Sequence, residues 1–396
     1  MNLAEFHSEA FQQFVLDHLE EDPALLLLKY QGKTAFDLKA AVHQIAARKK
    51  ADKKLPSWAQ DQRLIFPVSL SIEQSSSEET AKFKAGIQAG GTFLDLTGGF
   101  GVDSFFIGRK FQKAIYCERN EELAQVASHN FEILGPGKFH VFRGDGVEFL
   151  EKSQEQFDLI YADPARRGKG NQKLYKLADC EPDITANWKL MESKASKILL
   201  KVSPMLDISQ AIQEIPEIQR ATVLSVKNEV KEILLEWTKE AESQELSILA
   251  VDLGASEQAF GFSPEEESEA KSLFGEAEKY LIEPNAAILK AGGFKIFGER
   301  FSLKKLDANS HFYTTEEFPL DIPGRVFEII QEISPKKAEL KKQFPKGNVN
   351  VILRNYAQGA NEFKKKFGLK DGGEDFLIGT KSPSGFKVFW CRPVKS

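Results

Sequence analysis

Four acidic residues, each at or just after the end of a short apolar run, are the first candidates for chemistry in this sequence. They are Asp95, Glu118, Asp145 and Asp163. Each run has the length and composition of a buried strand. The carboxyl ends of parallel strands meet at one edge of a sheet, so the four carboxylates would line one site. A single acidic residue is more often a turn former, but four in the same position after successive strands indicate a binding edge.

A glycine-rich turn follows the first of these strands and reads Asp95-Leu-Thr-Gly-Gly-Phe-Gly101. Gly99 and Gly101 allow the backbone to approach a ligand closely, although such a turn alone is also compatible with a tight strand-to-helix connection without a ligand. Glu118 stands 17 residues after Gly101. This is close to the spacing at which an acidic residue binds the hydroxyls of a nucleotide ribose.

The charge of the turn selects between nucleotide classes. Asp95 stands immediately before the turn and would repel a pyrophosphate, so a dinucleotide fits poorly. A cationic nucleoside fits better, with its ribose at Glu118, an exocyclic amine at Asp145 and an ammonium group at Asp95. S-adenosylmethionine carries all three groups. The sequence indicates no metal site.

These residues resemble the successive motifs of class I S-adenosylmethionine-dependent methyltransferases. Longer segments resemble the bacterial subgroup with a ferredoxin-like insert and a C-terminal THUMP-like domain. These segments are Glu73–Thr80, Asp163–Arg167, Lys201–Asp207 and Glu283–Lys290. The resemblance implies a seven-stranded Rossmann-like sheet with an acceptor site at the fourth strand end. It also implies a cofactor site formed by Asp95, Thr97, Gly99, Gly101, Glu118, Asp145 and Gly146.

Two motifs depart from the family pattern. Thr97 replaces the first loop glycine of many relatives, and its hydroxyl could contact the cofactor carboxylate. Enzymes that methylate exocyclic amines of bases often carry Asp/Asn-Pro-Pro-Tyr/Phe. Here Asp163-Pro164 is kept, but Ala165-Arg166 replaces the second proline and the aromatic residue. The predicted catalytic residues are Asp163, Pro164 and Arg166.

Asp163 would orient an acceptor amine by accepting its hydrogen, without acting as a strong base. Arg166 could stack on a base or bind a phosphate, and Arg167 adds a second cation beside it. Lys201, at the end of the fifth predicted strand, could neutralise a substrate anion. The alternative for Lys201 is an exposed lysine at a strand end without a functional role.

The elements that must position these residues are short apolar runs that alternate with amphipathic segments over residues 71–260. Such alternation predicts a doubly wound α/β domain with a mostly parallel sheet, and the last three runs predict an antiparallel edge. The runs are Phe93–Leu96, Ala114–Cys117, Phe139–Phe142, Leu159–Ala162, Ile198–Val202, Thr222–Val226, Ile233–Trp237 and Leu246–Val251.

Three further segments flank this domain. Residues 1–70 have helical periodicity and predict a small helical module, whose role is packing, with substrate contact as the alternative. Residues 261–324 predict a small ferredoxin-like α+β segment, with helices from Ser263 and over 284–291 and a strand at Phe294–Phe297. Residues 325–396 predict a THUMP-like α+β domain. Its elements are helices 336–343 and 362–367 and strands 348–354, 375–380 and 385–391.

Charge is distributed unevenly along the 396 residues, whose net charge is −5. Residues 325–396 contain 15 Lys and Arg against 7 Asp and Glu, a net of +8, which leaves −13 for the rest. A basic module beside an acidic catalytic domain is suited to capture RNA, although a solvated helix face is the alternative. The substrate-binding candidates in this module are Lys341, Lys342, Lys346 and Arg354.

Composition excludes several classes of protein. A chain that is 42% hydrophobic and 28% charged is neither disordered nor fibrous. The three cysteines, Cys117, Cys180 and Cys391, lie too far apart to indicate a disulfide framework or a zinc site. Neither a signal peptide nor an apolar stretch long enough for a membrane span is present, so a cytoplasmic location without a membrane partner is expected. No required protein partner is evident.

The sequence therefore favours an S-adenosylmethionine-dependent methyltransferase that acts on a base nitrogen of a structured RNA, a tRNA or an rRNA, and holds it with the C-terminal domain. A methyltransferase for small molecules or proteins is the first alternative. A non-catalytic RNA-binding scaffold that retains the cofactor fold is the second, because Ala165-Arg166 departs from the usual acceptor motif.

Overall fold

The computed structural model describes residues 3–6, 8–166, 176–241, 243, 245–254 and 257–394. The chain divides into two compact units. The first contains Met1–Arg220 and Glu232–Gln244, and the second contains Ala221–Lys231 and Glu245–Ser396. Within the described ranges, no helix is long and apolar enough to cross a membrane.

Seven helices precede the first strand. They are α1 (Leu3–Phe6), α2 (Glu9–Asp17), α3 (Pro23–Tyr30), α4 (Leu38–Lys54), α5 (Pro56–Ala59), α6 (Ser69–Gln74) and α7 (Glu78–Ala85). Side chains of Ser8, Asp22 and Asp37 cap α2, α3 and α4 by accepting hydrogen bonds from backbone N–H groups. The N-terminal helices share one hydrophobic core with the sheet; for example, the ring of Trp58 packs edge-on against Phe100.

Among the described residues, eleven strands follow these helices as far as residue 262. They are β1 (Gly90–Asp95), β2 (Phe111–Glu118), β3 (Phe139–Arg143), β4 (Leu159–Ala162), β5 (Ala165–Arg166), β6 (Cys180–Glu181), β7 (Lys197–Val202), β8 (Arg220–Val226), β9 (Glu229–Thr238), β10 (Ser247–Leu253) and β11 (Glu257–Phe262). In the first unit the order is β9-β7-β4-β1-β2-β3, with β9 antiparallel to β7 and the others parallel. Strands β5 and β6 form a separate antiparallel pair.

The α/β fold class and the antiparallel edge are confirmed, and each of the eight predicted apolar runs overlaps a strand. The number of strands differs from the seven expected: the first unit has six paired strands in its sheet, and the second unit contains β8, β10 and the unpredicted β11 in the order β11-β10-β8. Five helices follow strand ends in the first unit. They are α8 (Val102–Gly108), α9 (Glu121–Leu134), α10 (Gly146–Lys152), α11 (Ile184–Lys194) and α12 (Ile208–Glu214).

The second unit also has a mixed sheet of eight strands in the order β12-β14-β15-β13-β16-β19-β18-β17. These strands are β12 (Leu273–Phe274), β13 (Tyr280–Pro284), β14 (Lys304–Lys305), β15 (Tyr313–Thr315), β16 (Gly324–Glu332), β17 (Asn350–Leu353), β18 (Phe376–Ser382) and β19 (Gly385–Val394). Its helices are α13 (Pro264–Glu269), α14 (Ala286–Ala291), α15 (Phe294–Arg300), α16 (Lys337–Gln343) and α17 (Ala360–Phe367). Each predicted element of the basic C-terminal module overlaps an observed one.

The strand predicted at Phe294–Phe297 is wrong, because these residues open helix α15. The carboxylate of Glu267 accepts hydrogen bonds from the N–H groups of Lys295 and Ile296, which satisfies the free donors of the helix N-terminus. The apolar pattern also continues at helical spacing to Phe301, whose ring packs against Phe297. A four-residue window is too short to separate the two periods.

Gly146 fixes the distance between the first and third strand ends. A Cβ atom at this position would lie 2.2 Å from the backbone oxygen of Leu96 and 2.7 Å from its Cα atom. Neither backbone atom can move without displacing the turn after β1.

We therefore expect Gly146→Ala to lower the free energy of unfolding by about 1–3 kcal/mol through overpacking. Urea denaturation measures this change. Gly359→Ala is the control, because no atom lies within 4 Å of a Cβ built at that position. Equal stability of the two variants would show that the close approach at Gly146 is not a real constraint.

Candidate active site

The carboxyl ends of β1, β2 and β4 and the start of α10 surround a cavity of about 480 Å³. This volume lies in the range of small-molecule sites. Among the described residues that line it, six are acidic and two are basic. The acidic residues are Asp95, Asp103, Glu118, Asp145, Asp163 and Glu181, and the basic residues are Arg119 and Lys201. The excess of carboxylates favours a cationic ligand over an anionic one.

Asp95 holds the glycine-rich turn. One carboxylate oxygen accepts hydrogen bonds from the Thr97 N–H (2.8 Å) and hydroxyl (3.3 Å), and the other accepts from the Ser104 hydroxyl. Asp95 is 1% exposed, and burial raises its pKa to about 7 against these hydrogen bonds. Both oxygens are thus used within the protein, which favours a positioning role over the predicted contact with a ligand ammonium group.

Three glycines give the turn its shape. Gly99 and Gly101 have φ angles of +58° and +84°, which a side chain would strain. A Cβ atom at Gly98 would lie 2.2 Å from the ring of Tyr116, and one at Gly101 would lie 2.8 Å from Phe131. The turn therefore packs directly onto β2 and α9, with no room for side chains at these positions.

Glu118 and Asp145 lie at the next two strand ends. The Glu118 carboxylate accepts hydrogen bonds from the backbone N–H groups of Gly99 (2.8 Å) and Asn120 (2.6 Å). One oxygen of Asp145 caps α10 by accepting from two N–H groups in its first turn. These bonds fix the orientation of both carboxylates in the cavity wall.

Sequence reasoning missed Arg119 and Glu181, which form an ion pair at 2.7 Å in the cavity wall. The same guanidinium nitrogen of Arg119 lies 3.6 Å from the second oxygen of Asp145. Arg119 could have been predicted from its position directly after Glu118. Its pairing with Glu181 could not, because this pairing depends on the contact between β5 and β6.

Asp163 lies at the end of β4 and is held on two sides. Its N–H donates to the Thr97 hydroxyl (2.7 Å), and its Oδ2 lies 2.6 Å from Nζ of Lys201. The Thr97 hydroxyl thus joins the turn to the fourth strand end. Since its hydrogen is directed to Asp95, this geometry does not favour the predicted contact between Thr97 and a cofactor carboxylate.

The remaining predicted residues of the fourth motif are described in part. Pro164 is half-buried and follows Asp163 into β5. The backbone of Arg166 pairs with Cys180 in the β5–β6 hairpin. Arg167 lies outside the described residues.

Lys201 is buried rather than exposed at a strand end, so that alternative is wrong. Burial would lower its pKa, but Asp163 and Asp103 raise it above the usual range. The positive charge of Lys201, which was predicted to neutralise a substrate anion, is therefore already paired with two carboxylates of the protein.

The structure separates the basic candidates of the second unit into two groups. Lys341, Lys342 and Lys346 are exposed, on or just after α16. The guanidinium of Arg354 lies 2.6 Å from the buried carboxylate of Glu283, which also pairs with Arg325. Arg354, which was predicted to bind substrate, therefore shares its charge with Glu283, whereas the three lysines are open to solvent.

Two family models match the second unit. A ferredoxin-like domain matches residues 280–323, and a THUMP domain-like model matches residues 324–393. A crystal structure of a protein from Porphyromonas gingivalis W83, assigned as a methyltransferase, superposes with a TM-score of 0.87. That protein is 33% identical to this chain, and the match covers 98% of each chain.

Two curated relatives are more distant. An uncharacterized S-adenosylmethionine-dependent methyltransferase of Mycobacterium tuberculosis is 21% identical over 332 residues, which are 82% of this chain and 88% of that protein. An uncharacterized RNA methyltransferase of Mycoplasma mobile is 32% identical over 75 residues, 19% of this chain and 21% of that protein.

The raised pKa of Asp95 gives a testable pH dependence. The folded protein retains this proton up to about pH 7, whereas the unfolded chain loses it near pH 4. The contribution of Asp95 to stability is therefore present in acid and is lost as the pH rises through 7. As the pH rises from 5 to 8, the free energy of unfolding of Asp95→Asn should increase by about 2–3 kcal/mol relative to that of the wild type.

Urea denaturation at the two pH values measures this difference, and Glu155→Gln is the control for a change at an exposed carboxylate. A constant difference between wild type and Asp95→Asn across this range would contradict the raised pKa.

Proposed function

The chain belongs to the S-adenosylmethionine-dependent methyltransferases that carry a ferredoxin-like and a THUMP-like domain, and from this premise we propose that it methylates a base nitrogen of a structured RNA, a tRNA or an rRNA. The observation that carries the proposal is the position of Asp163 in the wall of the acidic cavity, next to the turn after β1. The exposed lysines of the THUMP-like domain support the choice of RNA.

The described residues fit S-adenosylmethionine, whose sulfonium and ammonium groups match the carboxylate excess of the cavity. Glu118 would accept hydrogen bonds from the ribose hydroxyls, and Asp145 would accept one from the adenine amine. Asp95, Thr97, Gly99, Gly101 and Gly146 give the cavity wall its shape, as their contacts show. When bound, the cofactor supplies a methyl group made electrophilic by the sulfonium charge.

Asp163 would accept a hydrogen bond from the acceptor amine and direct its nitrogen toward the cavity. The side chain of Asp163 is 39% exposed, and its Oδ2 is directed to Lys201. This leaves Oδ1 as the oxygen proposed to accept from the substrate. Orientation of the reacting atoms is the main contribution a protein makes to a displacement of this kind, because it replaces a bimolecular encounter with a fixed geometry.

The THUMP-like domain would supply affinity for RNA. Lys336, Lys337, Lys341, Lys342 and Lys346 are exposed over one short stretch of the second unit. Exposed lysines bind phosphates with little dependence on base sequence. The short match to an RNA methyltransferase of Mycoplasma mobile agrees with this choice of substrate.

Tritium transfer from labelled S-adenosylmethionine into fractions of a strain that lacks the gene tests the proposal. We expect label in total RNA and at least a hundredfold lower rate with Asp163→Ala, because alanine has no side-chain oxygen to accept the hydrogen bond that orients the acceptor. Glu155→Ala, a surface change of the same kind, should keep the wild-type rate. Label in protein or metabolites instead of RNA would support the alternative enzymes, and no label in any fraction would support the non-catalytic scaffold.

Charge reversal of Lys341, Lys342 and Lys346 to glutamate should weaken binding to total RNA at least tenfold and make the affinity less dependent on salt. The slope of log K against log salt is negative, and each lost phosphate contact makes it shallower by about 0.7–0.9. Filter binding between 50 and 300 mM KCl measures both effects. The same three-residue reversal at Lys113, Lys152 and Lys189 in the first unit is the control. Equal losses in the two triple variants would contradict a role of the THUMP-like domain in RNA capture.

A further inference from the structure

A buried cluster of charged and polar side chains lies behind Asp163. Lys84, Asp103, Glu232 and Lys201 are each at most 8% exposed. They come from α7, α8, β9 and β7, which are distant in sequence. Burial of four ionised groups is costly unless each has a partner of opposite charge and a full set of hydrogen bonds.

Each of the two lysines lies close to two of the carboxylates. Nζ of Lys84 lies 3.0 Å from Asp103 and 2.6 Å from Glu232, so Lys84 holds both of these groups. Nζ of Lys201 lies 2.6 Å from Asp163 but 3.6 Å from Asp103. Lys84 is thus the closer ammonium partner of Asp103, and Asp163 is the closer carboxylate partner of Lys201.

Ser76 and Tyr161 complete the cluster. The Ser76 hydroxyl donates to Asp103 (2.7 Å) and accepts from Lys84 (2.9 Å) and Lys201 (3.2 Å). The Tyr161 hydroxyl also donates to Asp103 (2.7 Å). One hydroxyl thus sets the positions of both ammonium groups. Ser76 lies in the segment Glu73–Thr80, which the sequence singled out without a role.

We propose that Lys201 is a positioning residue that fixes the Asp163 carboxylate and balances its charge at the methyl-transfer end of the cavity, and that Lys84 and Ser76 hold Lys201 in place. The assignment of this end of the cavity depends on the proposed function, in which Asp163 orients the acceptor. With Asp163 included, the cluster has three carboxylates and two ammonium groups. The cluster as a whole therefore has a net charge of −1, and Asp163 is its member most open to the cavity.

The charge balance predicts how Lys201 affects the choice between S-adenosylmethionine, whose sulfur is cationic, and S-adenosylhomocysteine, whose sulfur is neutral. Lys201→Met should raise the affinity ratio in favour of S-adenosylmethionine about tenfold, because the charge of Asp163 is no longer balanced. Asp163→Asn should lower the same ratio about tenfold. Isothermal titration calorimetry with the two compounds measures both ratios and requires no methyl acceptor.

A lysine that only stabilises the fold would change both affinities equally, so an unchanged ratio in Lys201→Met overturns the proposal. If Lys201→Met does not fold, the affinity ratio of Asp163→Asn, a change at a partly exposed residue, tests the same charge balance. An unchanged ratio in Asp163→Asn also overturns the proposal. Lys189→Met, at a lysine that is 74% exposed, is the matched control. These titrations separate failure of this inference from failure of the RNA assignment.

Methyl-transfer kinetics test the positioning role. If Lys201 acts through Asp163, then Lys201→Met should lower kcat at least tenfold without raising the KM of the cofactor, and the double variant with Asp163→Asn should be no slower than Asp163→Asn alone. Lys201→Arg should recover part of the rate. Multiplicative losses in the double variant would show that Lys201 acts independently of Asp163.

Discussion

Asp103 is buried beneath the cavity, and the site depends on the groups that neutralise it. Lys84 lies 3.0 Å from one of its oxygens, and the hydroxyls of Ser76 and Tyr161 donate to the other. An acidic edge that binds a cation must also limit repulsion among its own carboxylates. The protein meets this constraint with buried lysines at Asp103 and Asp163, with partial protonation at Asp95, and with backbone N–H groups at Glu118 and Asp145.

The same contacts join the elements of the first unit into one site. Thr97 connects the turn after β1 to the end of β4, and Glu118 connects β2 to that turn. Gly146 allows α10 to approach the backbone of Leu96 closely. The proposed cofactor residues and the proposed acceptor-orienting residue are therefore positioned by one network, so a change in the turn is expected to reach Asp163.

The fold and the edge of the sheet could be predicted from the sequence because they follow from local patterns. The apolar runs predicted the strands, and the acidic residues at the ends of these runs predicted the position of the cavity. The partners of Lys201 could not be predicted, because Ser76, Asp103 and Asp163 meet it only after the sheet and its helices have packed. Arg354 shows the same limit, since its pairing with Glu283 joins two distant segments of the sequence. The helix at Phe294 was missed because Glu267, which caps it, lies far away in sequence.

A crystal structure of the protein with S-adenosylhomocysteine would show where the cofactor binds. We expect the ribose hydroxyls within hydrogen-bond distance of Glu118, the adenine amine at Asp145, and the sulfur facing the end of the cavity formed by Asp163 and Lys201. Density for the ligand at another place, or in this cavity with the sulfur directed away from Asp163, would contradict the proposed site.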